Sequence, residues 1–113
     1  MGTSPGPKTE VRDYNGLPTL FIDGRPSPAL FYMTYGPQTK YFQAFADIGV
    51  DLSSFSCTGD YVCYGISRPT WLDEDTFDYT QLDERLAMAC AGDGVLTMPR
   101  VYSGAPVWWM DRA

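Results

Sequence analysis

Histidine is absent from all 113 residues. That excludes Ser-His-Asp and Cys-His catalysis and any histidine-bearing zinc site within this chain. Basic residues are few: eight Lys and Arg stand against fourteen Asp and Glu, for a formal net charge of −6. Phosphate recognition needs clustered cations, so no nucleic-acid partner is expected. Cysteine is scarce and odd in number, with Cys57, Cys63 and Cys90 and no C-x-x-C pair. This is neither a disulfide framework nor a zinc ribbon. Buried free thiols are the expected state, and a Cys57–Cys63 bridge is the alternative. No metal and no cofactor is expected, and no G-x-G-x-x-G follows a strand. No apolar run approaches the 18 residues of a membrane span, so no membrane partner is expected. The polar Met1–Glu10 segment has no signal-peptide core. If Met1 is the true start, the default expectation is a cytoplasmic product.

Against these absences the chain is rich in aromatic residues, which make up 15% of it. Trp71, Trp108 and Trp109 join eight tyrosines and six phenylalanines. Aromatics build cores economically, and their π faces also pack against the C–H faces of sugars. With 44% hydrophobic residues the composition is that of a folded protein. Without histidine, carboxylate chemistry is the main enzymatic option.

The chain punctuates itself clearly. Residues 1–10 are expected to form a disordered tail, with Gly, Pro and Ser dominating its start. Leu20-Phe21-Ile22 followed by Asp23-Gly24 predicts a hairpin joining Thr19–Ile22 to a strand from Arg25. Ala29 to Tyr35 is a continuous apolar run ended by Gly36-Pro37. Being apolar on both sides, it is expected to be a parallel strand covered on both faces. Tyr41, Phe42, Phe45 and Ile48 mark a helix over Thr39–Ile48, with Gly49 placed as its C-terminal cap. Val50 to Ser56 reads as a second strand. A long loop is expected from Cys57 to Phe77. A second helix follows over Tyr79–Ala91, with Thr80 as N-cap and Asp83 and Glu84 against the helix dipole. Gly92-Asp93-Gly94 ends it. Val95–Tyr102 is the third strand, and Ala105–Met110 a short helical turn. The fold class is therefore α/β: an N-terminal hairpin, then β-α-β-α-β with parallel strands.

The ordered set of motifs resembles the start of clan A glycoside hydrolases, the β-galactosidase-like families in particular. There the first helix leads through an A-G-x-N/D turn into strand two, as in Phe45-Ala-Asp-Ile-Gly-Val-Asp-Leu52. A loop tryptophan and an acidic stretch follow, here Trp71 and Asp73–Asp75. Then comes F-D-F/Y-x-x-L-D, here Phe77-Asp-Tyr-Thr-Gln-Leu-Asp83. A third strand closes on Arg and Tyr, then P-x-W, here Pro99-Arg100-Val-Tyr102 and Pro106-Val107-Trp108-Trp109. The resemblance spans residues 17–111. The chain departs from it in the acidic loop, where the family has E-P-x-x-G-x-F/Y-D and this sequence has no glycine between Trp71 and Phe77.

The resemblance implies a partial (β/α)8 TIM barrel over residues 11–113, the N-terminal fragment of a glycosidase. A whole barrel needs about 250 residues. Retaining glycosidases use two carboxylates about 5 to 5.5 Å apart, and the resemblance places these as glutamates after strands four and seven. The chain has only Glu10, Glu74 and Glu84, none at such a position, so no catalytic residue is assigned and the isolated chain is expected to be inactive. Barrel strands carry their sites at their C-terminal ends. The expected sugar contacts are therefore Tyr35, Arg100, Tyr102 and Trp108, with a structural salt bridge as the alternative for Arg100 and packing for the aromatic residues. The partner is a carbohydrate, bound with the rest of the barrel. The competing expectations are a non-catalytic carbohydrate-binding module and a structural module that self-associates through open sheet edges.

Overall fold

The computed structural model describes residues 5–58, 68–91 and 95–112. Cys63, the Gly92–Gly94 turn and the central part of the long loop lie outside the described residues. The chain divides into two compact units, Met1–Leu30 and Phe31–Ala113.

The first unit is a three-stranded antiparallel sheet. Strands β1 (Thr9–Tyr14) and β2 (Leu17–Ile22) pair from Thr9↔Ile22 to Tyr14↔Leu17. Their two-residue connection, Asn15-Gly16, has positive φ at both positions, 53° and 81°. That is the backbone a type I′ turn requires, and Asn-Gly is the pair that tolerates it best. The expected Asp23-Gly24 hairpin is present and of the same kind, joining β2 to β3 (Arg25–Pro26). The tail boundary needs correction. Thr9 and Glu10 belong to β1, and Lys8 is tied to Asp23 by backbone and carboxylate hydrogen bonds of 2.8 and 2.9 Å. The pairing with β2 recruits residues that composition alone marks as tail. Phe21 is buried, with the Arg12 guanidinium 3.8 Å above its ring and Tyr14 edge-on.

The second unit is a mixed α/β layer. Its parallel sheet has β5 (Leu52–Thr58) at the centre. On one side lies β4 (Phe31–Thr34), in register Phe31↔Leu52 to Thr34↔Phe55. On the other lie β8 (Leu96–Thr97) and β9 (Arg100–Val101), both parallel to β5. The third strand, expected to run unbroken, is split at Met98-Pro99. Proline has no N–H to give the ladder, and β5 takes up the irregularity between Ser56 and Thr58. The first strand is also shorter than expected. Ala29 has φ +55°, a left-handed conformation incompatible with a strand, so β4 starts only at Phe31.

Helices α1 (Thr39–Asp47) and α2 (Thr80–Ala89) follow β4 and precede β8 respectively. Both pack on one face of the sheet. Phe42 of α1, Ala89 of α2 and Phe55 of β5 form the core, flanked by Tyr32, Leu82 and Met88. Tyr32 stacks on Phe45 at 4.2 Å and meets Phe42 edge-on at 5.3 Å. α1 ends as its sequence predicts. Gly49, at φ +88°, donates to Ala46 O and Val50 donates to Phe45 O, the paired bonds of a Schellman cap. α2 begins differently. Thr80 is its first residue rather than its cap, and Asp78 Oδ1 accepts the Thr80 N–H at 2.9 Å. Hydrogen bonds from the Thr80 side chain and backbone, with the Arg68 charge behind them, hold the Asp78 carboxyl below its ordinary range.

The opposite sheet face is the main departure from expectation. Phe31 and Met33, paired beside Leu52 and Ser54, remain 52% and 41% exposed. The run Ala29–Tyr35 is apolar on both sides, but helices cover only one of them.

The long loop contains a hairpin the sequence did not announce. β6 (Trp71–Asp73) pairs antiparallel with β7 (Thr76–Phe77) around Glu74-Asp75. The expected terminal turn is α3 (Val107–Met110). No helix among the described residues is long and apolar enough to cross a membrane.

Candidate functional site

Parallel strands all present their carboxyl ends at one edge of the sheet, and Tyr35, Arg100 and Tyr102 lie there. Tyr35 immediately follows β4. Arg100 opens β9, level with Ser56 near the end of β5. The two side chains meet across the sheet edge. Arg100 Nη1 lies 2.7 Å from Met33 Sδ and 3.5 Å from the Tyr35 hydroxyl, and the guanidinium carbon is 5.6 Å from the Tyr35 ring centre. Parallel register explains the meeting. Met33 sits beside Ser54, and Arg100 beside Ser56, so both project from the face that the helices leave open. Serines at 54 and 56 keep β5 low between them, and both are buried. Ser54 Oγ also donates to Met98 O at 2.8 Å, fixing the chain just before Arg100.

Arg100, Val101, Tyr102, Ser103 and Gly104 line an open depression of about 460 Å³. Tyr102 is half-buried there and Arg100 exposed. From below, the buried Arg85 of α2 donates Nη1 to Ser56 O at 2.7 Å, anchoring the helix to the end of β5. The depression thus offers a guanidinium, the Tyr102 phenol and the Ser103 hydroxyl, with the Tyr35 phenol beside Arg100. That set donates hydrogen bonds and stacks on rings. It contains no carboxylate pair.

Trp108 does not join this group. Its indole N–H donates to Trp71 O at 3.2 Å, and its ring meets Trp71 edge-on at 4.8 Å. The Arg112 guanidinium lies 4.9 Å above it. The polar handle of Trp108 is therefore spent on holding α3 to the β6–β7 hairpin, which is the packing alternative. Trp109 extends the same cluster.

Each glutamate has its own cation. Glu10 is on β1 beside Arg12, Glu84 is on α2 beside Arg68, and Glu74 lies in the β6–β7 turn, 3.0 Å from Arg112. All three are engaged on exposed surfaces. Among the described residues no three or more His, Cys, Asp or Glu are grouped to hold a metal ion. Cys90 is free but exposed rather than buried, because it caps the carboxyl end of α2.

Ser56 is a strand end by sequence, whereas Met33 reads only as strand core; the meeting of Ser56 with Arg100 continues the register of Ser53↔Thr97. No protein-family model matches the chain, and no curated protein matches it.

Proposed function

We propose that these residues supply the first βα units of a (β/α)8-barrel glycoside hydrolase acting on β-galactoside-like substrates, and that Arg100, Tyr35 and Tyr102 contact the sugar. One observation carries the reading. Strands β4, β5 and β8–β9 lie side by side in chain order, both helices cover the same face, and Arg100 meets Tyr35 at the carboxyl ends. Sequential parallel strands with helices on one side are how a barrel is begun. The carboxyl ends are where a barrel binds its substrate. The motif resemblance over residues 17–111 points the same way.

The chemistry divides accordingly. Arg100 carries a fixed fork of donors suited to a sugar's vicinal oxygens. The phenols of Tyr35 and Tyr102 donate or accept as the hydroxyl pattern requires. Hydrolysis with retention needs two facing carboxylates about 5 to 5.5 Å apart, whereas Glu10, Glu74 and Glu84 each face an arginine. In this reading the reacting carboxylates come from residues other than these 113.

The test has two parts. An aryl β-galactoside incubated with the chain should give no turnover above buffer. Galactose titrated against the chain should shift the Arg100 side-chain N–H resonances, and Arg100→Ala should abolish saturation. Turnover by the chain would overturn the assignment of roles, and so would sugar-induced shifts that spare Arg100.

A second reading, self-association, rests on the free edge of β4, which among the described residues pairs only with β5. Sedimentation as a monomer at all concentrations would eliminate it.

A further inference from the structure

The N-terminal sheet ends in a strand with an open outer edge. Its order is β1-β2-β3, and among the described residues β1 pairs only with β2. The devices that usually blunt such an edge are missing from it. Thr9–Tyr14 contains no proline and no lysine, and its register against β2 runs without a bulge.

The hairpin itself decides which backbone groups face outward. A two-residue turn makes Tyr14↔Leu17 a hydrogen-bonded pair, and bonded pairs recur at every second residue. Arg12 and Glu10 therefore bond to β2. Lys8 continues the series, its carbonyl accepting from the Asp23 N–H at 2.8 Å. Pro18 agrees with this phase, because it stands opposite Asp13, where β2 owes β1 no N–H. The N–H and C=O groups of Thr9, Val11 and Asp13 are left for the open edge. Side chains alternate with the pleat. Glu10 and Arg12 share one face, 3.6 Å apart, and Val11 lies on the other, 68% exposed.

We infer that this edge pairs antiparallel with β1 of a second copy of the chain, with Val11 on the two-fold axis. A two-fold contact pairs the strand with itself, and only outward-facing residues can bond across it. Centred on Val11, the register bonds Val11 to its own copy and Thr9 of each chain to Asp13 of the other. Glu10 of each chain then stands directly opposite Arg12 of the other, in the closer, non-bonded kind of pair. Moving the register one bonding step either way sets Glu10 against Glu10 or Arg12 against Arg12. Charge thus selects a single register and makes the strand complementary to itself. On the opposite face the Thr9 hydroxyl meets the Asp13 carboxylate as donor to acceptor. One strand pair is a small contact, so the dimer is weak and forms with rising concentration. Neither β4 nor the Arg100 group takes part, and the inference stands apart from the barrel reading.

Sedimentation velocity over a range of concentrations measures the association. Glu10→Arg and Arg12→Glu should each weaken it about tenfold to a hundredfold, because both cross-strand pairs become like-charged. An equimolar mixture of the two variants should restore association, since every cross-strand pair between them is opposite in sign. A variant that had merely unfolded would not be rescued by mixing. Amide exchange locates the contact: the Val11 and Asp13 N–H groups should slow as concentration rises, and those of β4 should not. A parent chain that sediments as a monomer at every concentration would overturn the inference. So would single variants that associate as the parent does, or a mixture no better than its components. Protection confined to β4 would also overturn it and assign the association to that edge instead.

Discussion

Phe31 and Phe55 occupy adjacent parallel strands on opposite faces of one sheet, and replacing each by alanine should give very different losses. Phe55 is fully buried against Phe42 and Ala89 on the helix-covered face. Truncating a buried phenylalanine costs about 3–5 kcal/mol, because the cavity is added to the lost transfer energy. Phe31 is 52% exposed on the open face. Full burial of such a side chain is worth roughly 1.5–3 kcal/mol, so half-burial leaves about 1 kcal/mol to lose, with no closed cavity behind it. A domain of this size has about 6–17 kcal/mol in total, taking roughly 0.05–0.15 kcal/mol per residue. Phe55→Ala should therefore remove a large fraction of the stability, and Phe31→Ala a small one. Urea unfolding followed by far-UV circular dichroism measures both, provided the slope with denaturant stays constant. Equal losses would mean the open face is covered in solution, which would refute the one-sided packing described above.

Gly49→Ala should cost about 1 kcal/mol from backbone strain at φ +88° alone, since nothing lies within 4 Å of an added Cβ. Gly36→Ala, with equal space and no positive φ, is its control and should be close to neutral by the same urea assay. Asp78 has its carboxyl lowered below 3.8 in the folded chain. Its contribution is present above the unfolded value and is lost as pH falls through the lower, folded value. Acid unfolding of Asp78→Asn should therefore show less pH dependence below pH 3.8 than the parent, and an unchanged acid profile would refute this. Trp108→Phe removes the indole donor to Trp71 O and should cost about 1 kcal/mol, with a change in near-ultraviolet circular dichroism that leaves Arg100 resonances unmoved.

Local chemistry made much of the fold readable. Asp23-Gly24 and Gly49 each have a backbone requirement that few residues meet, so their turns and caps can be read directly from sequence. The α1 stripe is readable because Phe42 must reach the core while Gln43 and Lys40 need not. What stayed hidden depends on pairing at a distance. Thr9 and Glu10 become strand only because Leu17–Ile22 is there to receive them. The β6–β7 hairpin has Glu74-Asp75 at its turn, a pair with no preference for hairpin geometry, and it is marked instead by Trp71 meeting Phe77. The same limit applies to the site. Arg100 and Tyr35 could be placed from strand ends, but Trp108 could not be sorted from them. Its orientation is decided by a hydrogen bond to a residue 37 positions away.

Arg100 and Tyr35 meet at the carboxyl-end edge of the sheet in whichever α/β architecture the sheet belongs to. Three parallel strands in chain order with helices on one face are common to a barrel and to half of a doubly wound sheet. In a barrel the next strand extends the series beyond β8–β9, and Phe31 and Met33 face its interior. In a doubly wound sheet the chain returns beside β4, and new helices cover Phe31 and Met33 from the far side. Both architectures bind ligands at the carboxyl ends of the strands. Arg100 on β9 and Tyr35 just after β4, the outer strands of the set, meet at that edge across β5. Loss of sugar binding in Arg100→Ala would therefore establish the site under either architecture. The architecture itself is decided by which edge accepts a further strand, and hydrogen exchange reads that directly. Added βα segments that protect the outer amides of β9 extend the sheet in barrel order, and segments that protect those of β4 wind it the other way.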